Sequence, residues 1–542
     1  MSEASATDSS GRLPVLVALL LLLAVVWIEP SGSSLAEPDE TRYAEIPREM
    51  LAARDLVVPR LNGLPYFEKP PLLYWANAAS LKIFGETPGA ARLPTRLAGT
   101  GTAILVFVAA RGVGLAGGPA AALFLAAPMG FLFARTNLTD GLLTFFFTAT
   151  LLAARAAVLR REAGRRWAAL AALTGACAAA AFLTKGLVAV VLPGAVLVAW
   201  AASTRRLAAA LRGLLLSPAP LVFVALSTPW LLAAERRHPG FLEFFFVHEH
   251  LQRFATAQAK RPGPLWYFVP VFVLGFLPGM PFFVSGARRA VRRDDAGFFF
   301  LLWFAIVFVF FSLSGSKLPP YLFPAIPAAA VLAARGLPAE GRRGAWLAQA
   351  ALATALAAAL PFVPDVRAQI GRPEIAGFFA PALAILVLGS WLAVLFARNA
   401  RGLALASAAI GWAAFCGAVS LGWPRTAEAK MCGELAGAAR TAAKERGAAI
   451  VGYRDYLNGL SWELKTPIPV ADYVGELEPQ FERRAEVRDA IVWTKEKFWR
   501  RWESREPTVA LVRMKDLVGM MTATPAARVV KWSGRHAIVV NW

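Results

Sequence analysis

The chain has little charge. Only 17% of its 542 residues are Asp, Glu, Lys or Arg, whereas 57% are hydrophobic, and the mean hydropathy is +0.51. A soluble chain of this length carries more ions and fewer long apolar runs. Cysteine is scarce as well. Cys177 and Cys416 lie in apolar runs and Cys432 stands alone further on, which excludes a disulfide framework. There is no internal repeat and no low-complexity linker. Acids are fewer than bases, 36 against 57, for a net charge of +21.

What is present in quantity is membrane-spanning sequence. Apolar runs near the roughly 20 residues needed to cross a bilayer occur at 13–28, 97–108, 120–133, 142–154, 167–183, 187–202, 214–234, 268–284, 298–313, 321–334, 345–363, 378–396 and 403–421. Roughly thirteen spans are expected. With the N-terminus inside, the basic clusters at 159–166, 203–212, 286–295, 340–344 and 397–402 all fall on the cytoplasmic side, as the positive-inside bias requires. That accounts for most of the net charge and argues against nucleic acid as a partner. The first run is either a retained helix or a signal peptide, since Ser34 and Ala36 offer small residues for cleavage.

Two regions are not membrane-like. The tail, 424–542, alternates helical stretches with strands such as "TVALVRM" and "RVVKWSGRHAIVVNW". It reads as a small α/β domain outside the membrane, ending in a hairpin around "SGR". Within it "KEKFWRRWESRE" interleaves bases with Phe498, Trp499 and Trp502. It is either an anionic-surface contact or a helix with its aromatic face in the domain core. The other region is the loop 30–90, assigned with the membrane part as 1–423. Its stretch "EPDETRYAEIPREM" holds Glu37, Asp39, Glu40, Arg42, Glu45, Arg48 and Glu49. A helix is expected there, with Pro38 near its first turn and acids at the positive dipole end. "PPLLYWANAASLKIFG" reads as a second, interfacial helix, and "LVVPRLNGLPYFEKPP" between them as broken and extended. On a helix Asp39, Arg42 and Tyr43 share a face. They are either a self-paired surface cluster or a carboxylate positioned by an arginine and a tyrosine.

Five stretches taken together, "EPDETRYAEIPREM", "LPYFEKPPLLYW", "RTNLTD", "HEHLQRF" and "SGSKLPPYLFP", resemble in order and spacing the signatures of the bacterial aminoarabinose transferase (ArnT) family. That family is related to the protein O-mannosyltransferases. The resemblance covers residues 13–423; the tail matches only in position, size and class.

The resemblance implies a polytopic α-helical membrane protein with the GT-C glycosyltransferase fold and a C-terminal periplasmic α/β domain, in the bacterial inner membrane. It implies an inverting transfer of 4-amino-4-deoxy-L-arabinose from undecaprenyl phosphate to a lipid A phosphate. This modification of lipopolysaccharide confers polymyxin resistance. No nucleotide sugar takes part, and a monomer is expected.

It also distributes roles. Tyr66, Lys69, Arg253 and Tyr321 match residues that contact the donor phosphate, and Lys317 is a further cation at a span mouth. The tyrosines read equally as interface aromatics and Lys69 as a snorkelling lysine. Asp39 is the expected catalytic carboxylate, supported by Arg42 and Tyr43. Asp140 joins it as a carboxylate at a helix mouth, unless it pairs with Arg135 or caps the helix.

No cofactor is required. Glu68 and His248, with Glu249 and His250 nearby, are candidate ligands for a divalent metal such as zinc. Such an ion would order loops rather than activate water. Another polyprenyl-linked sugar, or a protein acceptor, is the alternative within this fold. A flippase is the alternative outside it, disfavoured because polar residues crowd the span ends rather than the bilayer midplane.

Overall fold

The computed structural model describes every residue except 1–11, 31, 253–261, 292–294, 339–342, 371–372, 474, 478–480 and 505. The chain divides into two compact units. One comprises residues 1–29 and 93–422, the other 30–92 and 423–542.

The larger unit is helical. Each of the thirteen apolar runs coincides with helix. Among the described residues, however, eight helices are long and apolar enough to cross a membrane, or nine if one bent pair counts as a span. The expected thirteen is not matched by straight spans, and the sequence explains why. Arg12–Trp27, Gly117–Ala126 and Val188–Ser203 are apolar but short. The run at 268–284 bends by 82° at a 3-10 turn, Leu277–Gly279, that contains Pro278. The run at 321–334 opens as the 3-10 helix Pro319–Ala325, because its prolines remove α-helical N–H donors.

Helices Met280–Val291 and Ile326–Gly336 pack backbone to backbone. A Cβ on Gly286 would collide with the Leu332 carbonyl oxygen, and one on Gly336 with that of Phe282. Only glycine permits this approach.

The smaller unit joins the loop 30–92 to the tail, although the two are far apart in sequence. Its loop part holds helix Asp39–Ala52, a hairpin of β1 (Arg60–Leu61) and β2 (Leu64–Pro65) and helix Leu72–Phe84. The hairpin turn is Asn62–Gly63, with φ of 56° and 78°. The Asn-Gly pair is suited to two consecutive left-handed positions.

The tail forms a six-stranded sheet of β3 (Ala449–Tyr453), β4 (Val470–Ala471), β5 (Val492–Trp493), β6 (Thr508–Arg513), β7 (Arg528–Ser533) and β8 (His536–Val540), in the order β5-β4-β3-β6-β8-β7. β5, β4, β3 and β6 pair parallel with one another, and β8 pairs antiparallel with β6 and β7. The closing hairpin lies at the expected "SGR".

Both faces of the sheet are covered. Val509 and Leu511 pack with Leu435 and Ala439 of helix Ala427–Arg446. Ala510 and Val512 pack with Phe498 and Trp502 on the other side, as period-two alternation dictates. In "KEKFWRRWESRE", therefore, Phe498 and Trp502 of helix Lys495–Glu503 are core residues, both fully buried. Trp499 donates to the Tyr453 hydroxyl at 3.1 Å.

Candidate active site

Most of the seven charges in "EPDETRYAEIPREM" are structural. Glu37 accepts from the Thr41 hydroxyl (2.7 Å) and from the backbone N–H groups of Asn458 (2.9 Å) and Gly459 (2.8 Å). Glu40 takes a bidentate pair from Arg92, at 2.8 and 2.6 Å. Glu45, fully buried, pairs with Arg48, which also donates to the Lys465 carbonyl.

Glu49 accepts from the N–H groups of Asn62 and Gly63, both at 2.8 Å, and so closes the hairpin turn. Burial, then the neighbouring Glu45, push its pKa up to about 8 against the pull of those N–H groups and Arg48. Asn62 in turn bonds both ways with Ile468.

Asp39 and Arg42 differ from this set. Asp39, in the first helical turn, is ion-paired to Arg42 and keeps half its side chain exposed. Arg42 keeps 11% of its side chain exposed, and its guanidinium also pairs with Glu476 and donates to the Tyr66 hydroxyl at 3.3 Å. It lies 5.6 Å from the Tyr43 ring centroid. Burial opposes the charged form, but Tyr66, Tyr43, Glu476 and Asp39 outweigh it and raise the pKa further above the ordinary arginine value. The cation is therefore permanent.

Glu476 is held by Asn458 Nδ2 at 2.8 Å, and Asn458 also carries Glu37 on its backbone N–H. A continuous network thus runs from the helix start through the tail to Arg42. Burial, with Glu68 adding to it against Arg42, raises the Tyr66 pKa well above the ordinary value, so this phenol stays protonated. Next to it Tyr74 is fully buried, and among the described residues neither its hydroxyl nor Arg42 Nε has a hydrogen-bond partner. Lys69 donates to the Glu68 carbonyl at 2.9 Å and lies 3.7 Å from the Glu68 carboxylate.

The larger unit holds a separate ion pair. Asp140, in the first turn of helix Thr139–Glu162, accepts from Lys185 at 2.6 Å. Lys185 Nζ sits 5.1 Å from the Tyr321 ring centroid. Arg135, one alternative partner considered for Asp140, bonds instead to Ser420 and the Ile28 carbonyl. Lys317 donates to the carbonyls of Ser312 (2.7 Å), Ser314 (2.9 Å) and Phe311 (3.4 Å). It caps the end of helix Asp295–Leu313, as a cation at a helix C-terminus should.

Arg253 lies outside the described residues, as do the side chains of Glu249 and His250. His248 stacks on Phe244 at 5.9 Å. Glu68 and His248 belong to different units, and among the described residues no three His, Cys, Asp or Glu side chains gather as a metal site.

Sequence reasoning missed Lys185, Tyr74, Asn458 and Glu476. Lys185 carried a signal, being a lone ion at the end of an apolar run. Tyr74 sits inside the quoted "PPLLYW". Glu476 carried none, because 434 positions separate it from Arg42.

A polytopic helical unit, joined in one chain to a unit that combines the 30–92 loop with an α/β tail, is the architecture expected of a GT-C fold. The model for dolichyl-phosphate-mannose-protein mannosyltransferases matches residues 14–245. The undecaprenyl phosphate-α-4-amino-4-deoxy-L-arabinose arabinosyl transferase of Serratia proteamaculans is 35% identical over 332 residues, covering 59% of this chain and 58% of the relative. That of Edwardsiella ictaluri is 34% identical, covering 58% of each. The chain thus spans somewhat more than half the length of these relatives.

The crystal structure of ArnT from Cupriavidus metallidurans bound to undecaprenyl phosphate superposes with a TM-score of 0.82, at 29% identity and 99% coverage of both chains. The archaeal oligosaccharyltransferase AglB from Archaeoglobus fulgidus shares the fold, with a TM-score of 0.51, 12% identity and coverage of 94% of this chain and 70% of AglB. The chain is thus similar to the aminoarabinose transferase (ArnT) family in sequence and in fold, and it is a multi-pass membrane protein.

Proposed function

We propose that this chain is an inverting glycosyltransferase that moves 4-amino-4-deoxy-L-arabinose from undecaprenyl phosphate to a phosphate of lipid A. Its relatives' names and the likeness to a structure holding undecaprenyl phosphate support the donor. The observation that carries the reading is the half-exposed Asp39 held by a largely enclosed, permanently charged Arg42. The protein sits in the bacterial inner membrane with these residues on the periplasmic side, where lipid-linked rather than nucleotide sugars are met.

In the reaction an acceptor phosphate oxygen attacks the anomeric carbon as the bond to the undecaprenyl phosphate oxygen breaks, and the departing phosphate keeps the electron pair. An acceptor phosphate is already ionised near neutral pH, so no strong base is needed. Asp39 orients the acceptor, steadies the positive charge growing on the sugar and can hold its amine. Arg42 and Tyr43 fix Asp39, and Tyr66 offers its O–H to the donor phosphate. Lys69, Arg253 and Tyr321 supply further phosphate contacts, whereas Lys317 is already committed to helix carbonyls. Asp140 is proposed as a second catalytic carboxylate. No water has to be activated, so chelation of divalent metal should leave transfer intact.

The family model matched at 14–245 favours one second reading, mannose transfer to a protein hydroxyl. Asp39 would then have to take a proton. Mass spectrometry of lipid A from cells that make the aminoarabinose donor, with and without this gene, decides between them. A mass gain equal to aminoarabinose on a lipid A phosphate is the expected result. Unchanged lipid A, with the protein present in the membrane, would remove the reading.

A further inference from the structure

Helix Met280–Val291 is buried on one side only. Phe282, Gly286 and Ala290 face inward. Gly286 meets helix Ile326–Gly336, and the Phe282 ring meets Trp346 of helix Gly344–Ala359 edge-on at 4.7 Å. The opposite stripe, at helical spacing, is Met280, Pro281, Val284, Ser285, Arg288 and Arg289. Ala345, Ala348 and Leu352 face it, and the two alanines leave a groove of about 660 Å³.

The groove is apolar except at one end, where two arginines and the first turn of helix Gly344–Ala359 meet. Both favour an anion. Arg289 is anchored, donating to the Arg335 carbonyl at 2.8 Å. Arg288 is exposed and has no hydrogen bond or ion pair among the described residues.

We propose that this groove is a binding site for an anionic bilayer phospholipid. An acyl chain lies along Met280, Val284 and Leu352, and Arg288 holds the phosphodiester. Charge complementarity selects the occupant. An apolar channel in a membrane-spanning unit takes hydrocarbon, and a cation at its mouth selects a negative headgroup over a zwitterionic one.

The test is native mass spectrometry of the purified full chain titrated with phosphatidylglycerol or with phosphatidylcholine of the same acyl chains. Wild type should retain phosphatidylglycerol in preference. Arg288→Gln should lower its retention about fivefold and leave phosphatidylcholine unchanged, whereas Arg288→Lys should keep the preference. Ala348→Trp, which fills the groove, should lower retention of both lipids at an unchanged melting temperature. If that variant does not fold, Arg288→Gln decides alone. Equal retention of the two lipids by wild type, no effect of Arg288→Gln, or displacement by equimolar undecaprenyl phosphate would each overturn the proposal.

Discussion

The two units use charge in opposite ways. In the larger unit ions are few. Asp140 and Lys185 neutralise each other at a helix start, and Lys317 caps helix carbonyls. In the smaller unit ions are dense, and most are structural. Glu37, Glu40 and Glu49 each tie helix Asp39–Ala52 to another segment through hydrogen bonds that replace lost water, and Glu45 holds Arg48 of the same helix, which bonds the Lys465 carbonyl. Exposure separates the exception: Asp39 has 53% of its side chain exposed, against 4% for Glu40 and none for Glu45. A dense cluster of charge is thus mainly a scaffold, and the residue to test for chemistry is the one it leaves accessible.

That contrast can be broken at several points. Asp39→Ala should lower sugar transfer by about 10²-fold or more, with no change in melting temperature. Glu45→Ala should do the reverse. It leaves Arg48 charged and buried, costing about 3–5 kcal/mol of stability, visible as a lower denaturation midpoint of the purified protein.

In the larger unit, a double-mutant cycle on Asp140→Asn and Lys185→Met should show non-additive stability, with a coupling of about 0.5–3 kcal/mol. Additive effects would mean that the pair is not a unit.

The smallest effect concerns pH. The folded pKa of Glu49, about 8, lies above the ordinary 4.5. Between these values the folded state binds more protons than the unfolded one, so Glu49 makes stability fall as pH rises across that window. Glu49→Gln should flatten this part of a melting temperature against pH curve.

Local features of the site were legible in the sequence and long-range ones were not. Helical spacing alone joins Asp39, Arg42 and Tyr43, and the Asn-Gly pair marks the hairpin turn. Both rest on neighbours within a few residues. The supports of Arg42 come instead from Asn458 and Glu476, and no periodicity links them to residue 42. For the same reason the tail read as a separate domain, whereas its contacts place it in one unit with 30–92. Lys317 shows the opposite difficulty: a lone cation at a helix end looks like a phosphate ligand, and its hydrogen bonds go to the carbonyls of that end. Span counting does not register where proline bends an apolar run, because the bend leaves the hydropathy unchanged.

The most direct test of the central claim is one paired experiment on Asp39→Asn. Lipid A from cells expressing it is weighed by mass spectrometry, and the purified variant is melted beside wild type. The account predicts loss of the aminoarabinose adduct with an unchanged melting temperature. Full modification of lipid A by the variant, or loss of the adduct only alongside a collapsed melting temperature, would contradict it.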